Sequence, residues 1–210
     1  WTIVKNTNLA GLKRRRRDRK RKKSNPMHSK EDAMAAFSEA DIYPVISSEF
    51  TNGRPVLDVL RMIGDGGAKI VQLREKNKSK SEVFTLAEQY RRITDVYGMV
   101  LIINDHLDVA LAVDADGVHL GQDDLPLPAA KRIAGRLILG CSTHNATEAV
   151  AAVAAGADYI NIGPLFPTNT KNVSYPPLGL GGLEEVAAQI DIPFTVMGGI
   201  KERHIPELRR

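Results

Sequence analysis

Residues 100–124 read VLIINDHLDVALAVDADGVHLGQDD, and this stretch decides the fold. A strand is predicted over Val100–Asp105 (VLIIND), and its first four residues are apolar without alternation, so it is covered on both faces. A helical pattern follows over His106–Val113, and a second short strand over Gly117–Gly121 (GVHLG). Two covered strands joined through a helix are the unit of a parallel α/β sheet.

The same beat runs outward in both directions. Further strands are predicted at Ile42–Ile46, Lys69–Arg74, Leu137–Ser142, Tyr159–Pro164 and Phe194–Gly199. Helical patterns lie between them at Val56–Ile63, Ser81–Val96, Pro128–Ala134, Ala146–Ala155 and Leu183–Ile190, with another starting at Lys201. Ser79 or Ser81 suits the N-cap of the helix before Gly98, and Asn145 suits that of the alanine-rich one. Gly98, Gly135 and Gly156 fall where helices end, as a left-handed terminal residue requires.

Seven strand–helix repeats fit a doubly wound sheet or a (β/α)8 TIM barrel. Polar residues gather at the C-terminal ends of the strands, where barrel active sites lie. No Gly-x-Gly-x-x-Gly opens the first helix, as a dinucleotide-binding sheet would require. The barrel is therefore expected. Only Lys201–Arg210 follow the seventh strand, so the barrel should lack its last strand–helix unit. Two regions result: a basic, disordered extension over 1–40, and a C-terminally incomplete barrel domain over 41–210.

Composition narrows the class. The chain has 210 residues, 43% apolar and 26% charged, which suits one substantial core. Its longest apolar runs, Met99–Ile103 and Ala149–Ala155, fall far short of the roughly 20 residues that span a bilayer. The single cysteine, Cys141, excludes an internal disulfide and a cysteine-based zinc site, and reads as a small buried filler. With no secretory pattern at the start, a reducing, cytoplasmic location is expected. Lys13–Lys23 (KRRRRDRKRKK) holds ten basic residues and one Asp, while the whole chain has a net charge of only +4. The remainder is thus acidic, with one basic arm. Such an arm can bind nucleic acid, but no aromatics interleave with it to stack on bases, and a solvated tail is the expectation. Met27 follows it, so residues 1–26 read as an extension or as sequence upstream of a start at Met27.

The strand ends share one chemistry. Gln72, Arg74 and Lys76 alternate at the period of two, so one face can present all three; Glu75 between them has no role in this reading. Asn104 and Asp105 end the next strand. His119, Gln122, Asp123 and Asp124 follow, then Ser142, Thr143 and His144, then Thr168, Thr170 and Lys171 in the loop GPLFPTNTK, then Gly198 and Gly199. Cations, hydroxyls and two carboxylates on one rim point to a polyphosphate site with Mg²⁺. Asp105 and Asp124 supply the hard oxygens that Mg²⁺ takes besides phosphate oxygens. Arg74, Lys76 and Lys171 clamp phosphates, and the glycine pair lets backbone amides approach a second phosphate. Asp105 equally suits a cap for the helix beginning at His106. His119, inside an apolar strand, suits a hydrogen-bonded core position better than a catalytic one. His144 suits either the mouth or a cap.

The blocks VQLREK, IINDHLDVALAVDADGVHLGQDDLP, GCSTHN, AAGADYINIGPLFPTNTK and VMGGI resemble the signature blocks of the thiamine-phosphate synthases, over roughly Ile42 to Gly199. The resemblance implies a Mg²⁺-dependent (β/α)8 transferase. Such an enzyme joins hydroxymethylpyrimidine pyrophosphate to thiazole phosphate and releases pyrophosphate. It further implies that Gln72, Arg74, Lys76 and Asn104 hold the pyrimidine substrate, that Asp105 and Asp124 hold Mg²⁺, and that Ser142 and Lys171 contact the pyrophosphate. Arg74, Lys76, Ser142 and Lys171 would then be the catalytic set, with Thr168, Thr170 and Gly199 on the thiazole phosphate. Asn169 stands where the family often has Pro, and the basic arm is outside the pattern. Two other readings stand beside it: the thiazole tautomerase branch, which shares the fold and has a His at the position of His144, and a non-catalytic relative that binds a partner through the arm.

Overall fold

The computed structural model describes residues 3–5, 29–168 and 175–208. Its centre is a curled sheet of seven parallel strands: β2 (Val45–Ile46), β3 (Ile70–Leu73), β4 (Val100–Asn104), β5 (Gly117–Leu120), β6 (Ile138–Thr143), β7 (Tyr159–Ile162) and β8 (Phe194–Val196). They pair in chain order, and each lies within the range expected for it except β6, which runs one residue further, to Thr143. Every residue of β3, β4, β5, β7 and β8 is buried, as parallel strands between two layers require.

The connecting helices are α2 (Val56–Asp65), α3 (Lys80–Tyr97), α4 (Leu107–Ala112), α5 (Leu127–Ile133), α6 (Ala146–Ala154) and α7 (Gly179–Ala187), with the one-turn α8 (Ile205–Leu208) after β8. Ser79, not Ser81, caps α3: its hydroxyl accepts from the Glu82 N–H while the Glu82 carboxylate accepts from the Ser79 N–H. Asn145 caps α6 through the Glu148 N–H at 2.9 Å. Gly98 ends α3 at φ +65°. Among the described residues no helix is long and apolar enough to cross a membrane.

Strand alternation divides the apolar residues into two cores. One set, including Val71, Leu73, Leu101, Ile103, Val118, Leu139 and Ile160, packs outward against the helices. The other, Ile70, Val100, Ile102, Ile138 and Tyr159, forms the floor of the barrel at the N-terminal ends of the strands. A helix before the barrel, α1 (Lys30–Ser38), closes that floor with Ala33 and Phe37, spaced i,i+4 on one face. Ser29 caps it through the Asp32 N–H at 3.0 Å. Over residues 29–40 the expectation of disorder is corrected, because burying Phe37 under Tyr43 and Tyr159 stabilises a segment whose own composition is ambiguous. A strand β1 (Ile3–Lys5) also pairs antiparallel with β8. The basic run at 13–23 lies outside the described residues.

No eighth parallel strand occurs among the described residues, in line with the incomplete barrel expected. The slot on the far side of β8 is taken by β1. The outer side of β2 faces a cleft of about 740 Å³ that extends into the mouth of the barrel.

Candidate active site

Parallel strands in register bring the predicted polar residues to one end. Asn104 pairs with His119, and Ser142 with Asn161. Arg74, Ser142, Thr143, His144, Asn161, Thr168 and Met197–Lys201 all line the cleft at that end. The chain from Asp105 to Gly117 runs back through α4 to the adjacent strand, so both carboxylate-bearing loops meet over the same rim.

The most strongly charged part of the rim is a contact of three groups. Lys76 Nζ is ion-paired with Asp105 Oδ2, and the Asp105 and Asp124 carboxyls are hydrogen-bonded to each other. Asp124 Oδ2 also accepts from the Gly121 N–H at 2.6 Å. Burial disfavours charge on both carboxyls. On Asp105 the Lys76 and Asp124 hydrogen bonds, with the Lys76 charge, outweigh burial and hold the carboxyl below the ordinary range. On Asp124 burial and the Asp105 carboxylate together prevail over the Gly121 amide, so its carboxyl is held above that range. The two carboxyls are thus pushed in opposite directions by one contact, and a divalent cation placed between them would favour the charged form of both. Asp105 has φ +65°, a left-handed conformation that Asp tolerates better than most side chains. It precedes α4, but the residue at that helix's N-cap position is His106, so the capping alternative is not the one realised.

No group of three or more His, Cys, Asp or Glu suited to a metal occurs among the described residues. A hard cation that takes one or two carboxylates and fills its other positions with phosphate and water oxygens fits this two-carboxylate set; a zinc site does not.

Gln72 is buried, and its amide donates to the Tyr43 hydroxyl at 2.8 Å. Ser142 Oγ lies 2.9 Å from His119 Nε2, and the Ser142 carbonyl accepts from Gln122 Nε2 at 2.6 Å. His119 is a buried hydrogen-bonded residue, as expected from its apolar strand. His144 opens into the cleft, with its Nδ1 2.8 Å from Glu148 Oε2 and its ring stacked on Tyr175 at 3.8 Å. Burial, followed by the Glu148 and Asp124 charges, pushes the Cys141 thiol up to about 11, so it is an inert filler rather than a nucleophile.

Gly199 has φ +64°, and a Cβ there would lie 2.4 Å from the Pro167 carbonyl oxygen. The β8 turn is thus pressed against the loop that leads to Thr168, with Phe166 N–H donating to Gly198 O at 3.0 Å. Thr170 and Lys171 lie outside the described residues.

Three participants were missed in the sequence. Tyr43 and Tyr159 project into the barrel, and Glu75 is buried, accepting from the Ser48 N–H at 2.9 Å and from its hydroxyl at 2.5 Å. Tyr159 and Asn161 share a face of YINI by the same alternation used for Gln72 and Arg74, so that signal was available. Nothing local pairs Glu75 with Ser48, which is on a different loop.

A curled parallel α/β sheet whose ion-paired and carboxylate side chains meet at the C-terminal strand ends is the arrangement of barrel enzymes with a polar ligand in the mouth. Within that class, the chain belongs to the thiamine monophosphate synthase family, whose model matches residues 42–210. It is 45% identical over 168 residues to a thiamine-phosphate synthase of Shouchella clausii, covering 80% of each chain. It is 41% identical over 181 residues to one of Dictyoglomus thermophilum, covering 86% of this chain and 81% of the other. Among solved structures, the thiamine phosphate pyrophosphorylase of Pyrococcus furiosus superposes with a TM-score of 0.70 at 36% identity, over 77% of each chain.

Proposed function

We propose that this protein is a Mg²⁺-dependent transferase of thiamine biosynthesis, joining hydroxymethylpyrimidine pyrophosphate to thiazole phosphate with release of pyrophosphate. The names of its relatives support the reaction class. The observation that carries the reading to this chain's own residues is the contact of Lys76, Asp105 and Asp124 beside a cleft that Arg74 and Ser142 line.

In this reaction the C–O bond between the pyrimidine methylene and the pyrophosphate breaks, and its electron pair leaves with the oxygen. The carbocation that remains is captured by the thiazole nitrogen, forming the new C–N bond. No strong base is needed; stabilisation of the departing charge is. Arg74 offers a planar fork of donors and Lys76 a point charge, and Ser142 adds a hydroxyl. Gln72 and Asn104, both buried at strand ends, offer amides to a pyrimidine edge. Thr168 and the Gly198–Gly199 turn line the same cleft, which supports their taking the thiazole phosphate, with Thr170 and Lys171 assigned there and to the pyrophosphate by resemblance. Mg²⁺, held by Asp105 and Asp124, would neutralise pyrophosphate charge. A free, buried Cys141 is consistent with the proposed cytoplasmic location.

The test is to incubate the purified protein with both substrates, with and without Mg²⁺, and to measure pyrophosphate. Release that requires both substrates and the metal is expected. No release under any of these conditions would overturn the proposal. One observation favours a second reading: His144, oriented by Glu148 and facing the cleft, could move a proton in thiazole tautomerisation. Interconversion of thiazole phosphate tautomers without the pyrimidine substrate would support that activity instead.

A further inference from the structure

A continuous run of hydrogen bonds crosses the buried interior of the barrel. Gln72 Nε2 donates to the Tyr43 hydroxyl at 2.8 Å, and the Tyr43 and Tyr159 hydroxyls are 3.1 Å apart. The Tyr159 hydroxyl lies 2.9 Å from His119 Nδ1, and His119 Nε2 lies 2.9 Å from Ser142 Oγ. Side chains from β3, β5, β6, β7 and the approach to β2 thus connect the base of the cleft to its rim. The backbone makes room for this path. His119, Gly140 and Tyr159 lie in one row across β5, β6 and β7, and a Cβ at Gly140 would be 2.1 Å from Tyr159 Cζ. Only glycine lets the Tyr159 ring cross that row to reach His119.

Counting donors gives the run a direction. A neutral phenol has one proton to donate, and a neutral imidazole has one donor and one acceptor nitrogen. Either hydroxyl of the Tyr43–Tyr159 pair can donate, but if Tyr43 accepted from both Gln72 and Tyr159, its own proton would be left in the buried interior with no acceptor among the described residues, so the Tyr43 proton goes on to Tyr159. Tyr159 then directs its own proton to Nδ1. An imidazole that accepts at Nδ1 carries its proton on Nε2 and donates to Ser142 Oγ. Ser142, having accepted, keeps its own proton for a third partner, and the remaining open side is the cleft. We infer that Tyr43, Tyr159 and His119 are positioning residues that orient the Ser142 O–H as a donor toward an anionic oxygen in the mouth. Burial holds both phenols well above their usual range, so they stay protonated donors. With the opposite tautomer, Ser142 would donate inward to Nε2 and present only lone pairs to an anion. That arrangement would repel the group the rim is otherwise charged to attract. The identity of the anion as pyrophosphate rests on the proposed function; the direction of the bonds does not.

Two measurements test this. Nitrogen-15 NMR of the unliganded protein should show His119 as the Nε2–H tautomer, and Tyr159→Phe, which removes the donor to Nδ1 and keeps the ring, should populate Nδ1–H. Calorimetric titration with inorganic pyrophosphate and Mg²⁺ should show affinity falling about tenfold in Tyr159→Phe and in Ser142→Ala, with little further loss in the double variant, because all three remove the same bond. An Nδ1–H tautomer in the unaltered protein, unchanged affinity in Tyr159→Phe, or additive losses would overturn the inference. A protein that shows the Nε2–H tautomer yet binds no pyrophosphate would overturn the assigned anion and leave the direction supported. Should Tyr159→Phe fail to fold, the tautomer of the unaltered protein still decides.

Discussion

At the scale of single residues, Asp105 joins two opposing effects. Its left-handed backbone costs about 1 kcal/mol or more for a non-glycine residue, and its ion pair with the half-exposed Lys76 is worth at most about 1 kcal/mol after solvent screening. Asp105→Gly removes both, so thermal unfolding should shift by no more than the equivalent of about 1 kcal/mol while Mg²⁺-dependent pyrophosphate release is lost. A variant that unfolds outright would show that the side chain is there for stability rather than for metal. Arg74 lines the cleft and is proposed to clamp the leaving group. Arg74→Ala should lower kcat/KM by about 2–4 kcal/mol of transition-state stabilisation, the range for one removed donor to developing charge. An unchanged kcat/KM in steady-state assays would exclude it from the clamp. These two positions were legible in the sequence because strand alternation and the strand-end rule place side chains without knowledge of their contacts. The Lys76–Asp105–Asp124 contact was not, since it depends on how three separate loops fold over the rim.

At the scale of elements, the loop between β3 and α3 presents Arg74 and Lys76, and Glu75 between them turns the other way. Its carboxylate takes the Ser48 N–H and hydroxyl, fixing this loop to the 3-10 turn Ser48–Phe50 after β2. The buried Tyr90 hydroxyl, without a hydrogen-bond partner among the described residues, feels the same charge: burial first, then Glu75, raises its pKa far above the usual range. Glu75→Ala leaves a backbone N–H and a hydroxyl unpartnered in a half-buried place, which should cost about 1–3 kcal/mol in denaturant unfolding. Glu75→Gln keeps an acceptor oxygen and should recover most of that. If the loop is what orients its neighbours, Glu75→Ala also raises KM for the pyrimidine substrate, and Glu75→Gln restores it. Equal stability of Ala and Gln variants would show that Ser48 finds water instead. Alternation explains why the sequence could set Glu75 apart from Gln72, Arg74 and Lys76 without assigning it a role. It identified the face, and the partner on that face is twenty-seven residues away.

At the scale of the whole molecule, the two cores have different owners. The outer one is assembled by the strand–helix repeats, whose apolar runs announce themselves, and it holds the strand ends that carry the site. The inner one depends on α1, which precedes the first repeat and shows only a short Ala33–Phe37 spacing next to a basic run. Local pattern could not assign that helix, because its stability comes from the floor it closes and not from its own sequence. Phe37 is fully buried, with its ring 4.5 Å from that of Tyr159 and 5.9 Å from that of Tyr43. Phe37→Ala should therefore cost about 3–5 kcal/mol, the transfer term plus the cavity left under two rings that neighbouring strands hold in place. The alternative, a helix resting loosely on the floor, predicts a loss below about 1 kcal/mol, because an exposed face has little apolar area to lose. Urea unfolding separates the two: a lower midpoint at unchanged m-value marks a lost core contact within one cooperative unit, whereas a reduced m-value would mean that α1 had already detached. Because the strand ends are tied to the outer core, the variant that remains folded should still bind pyrophosphate, so a large stability loss with the ligand site retained is the result expected of a floor helix.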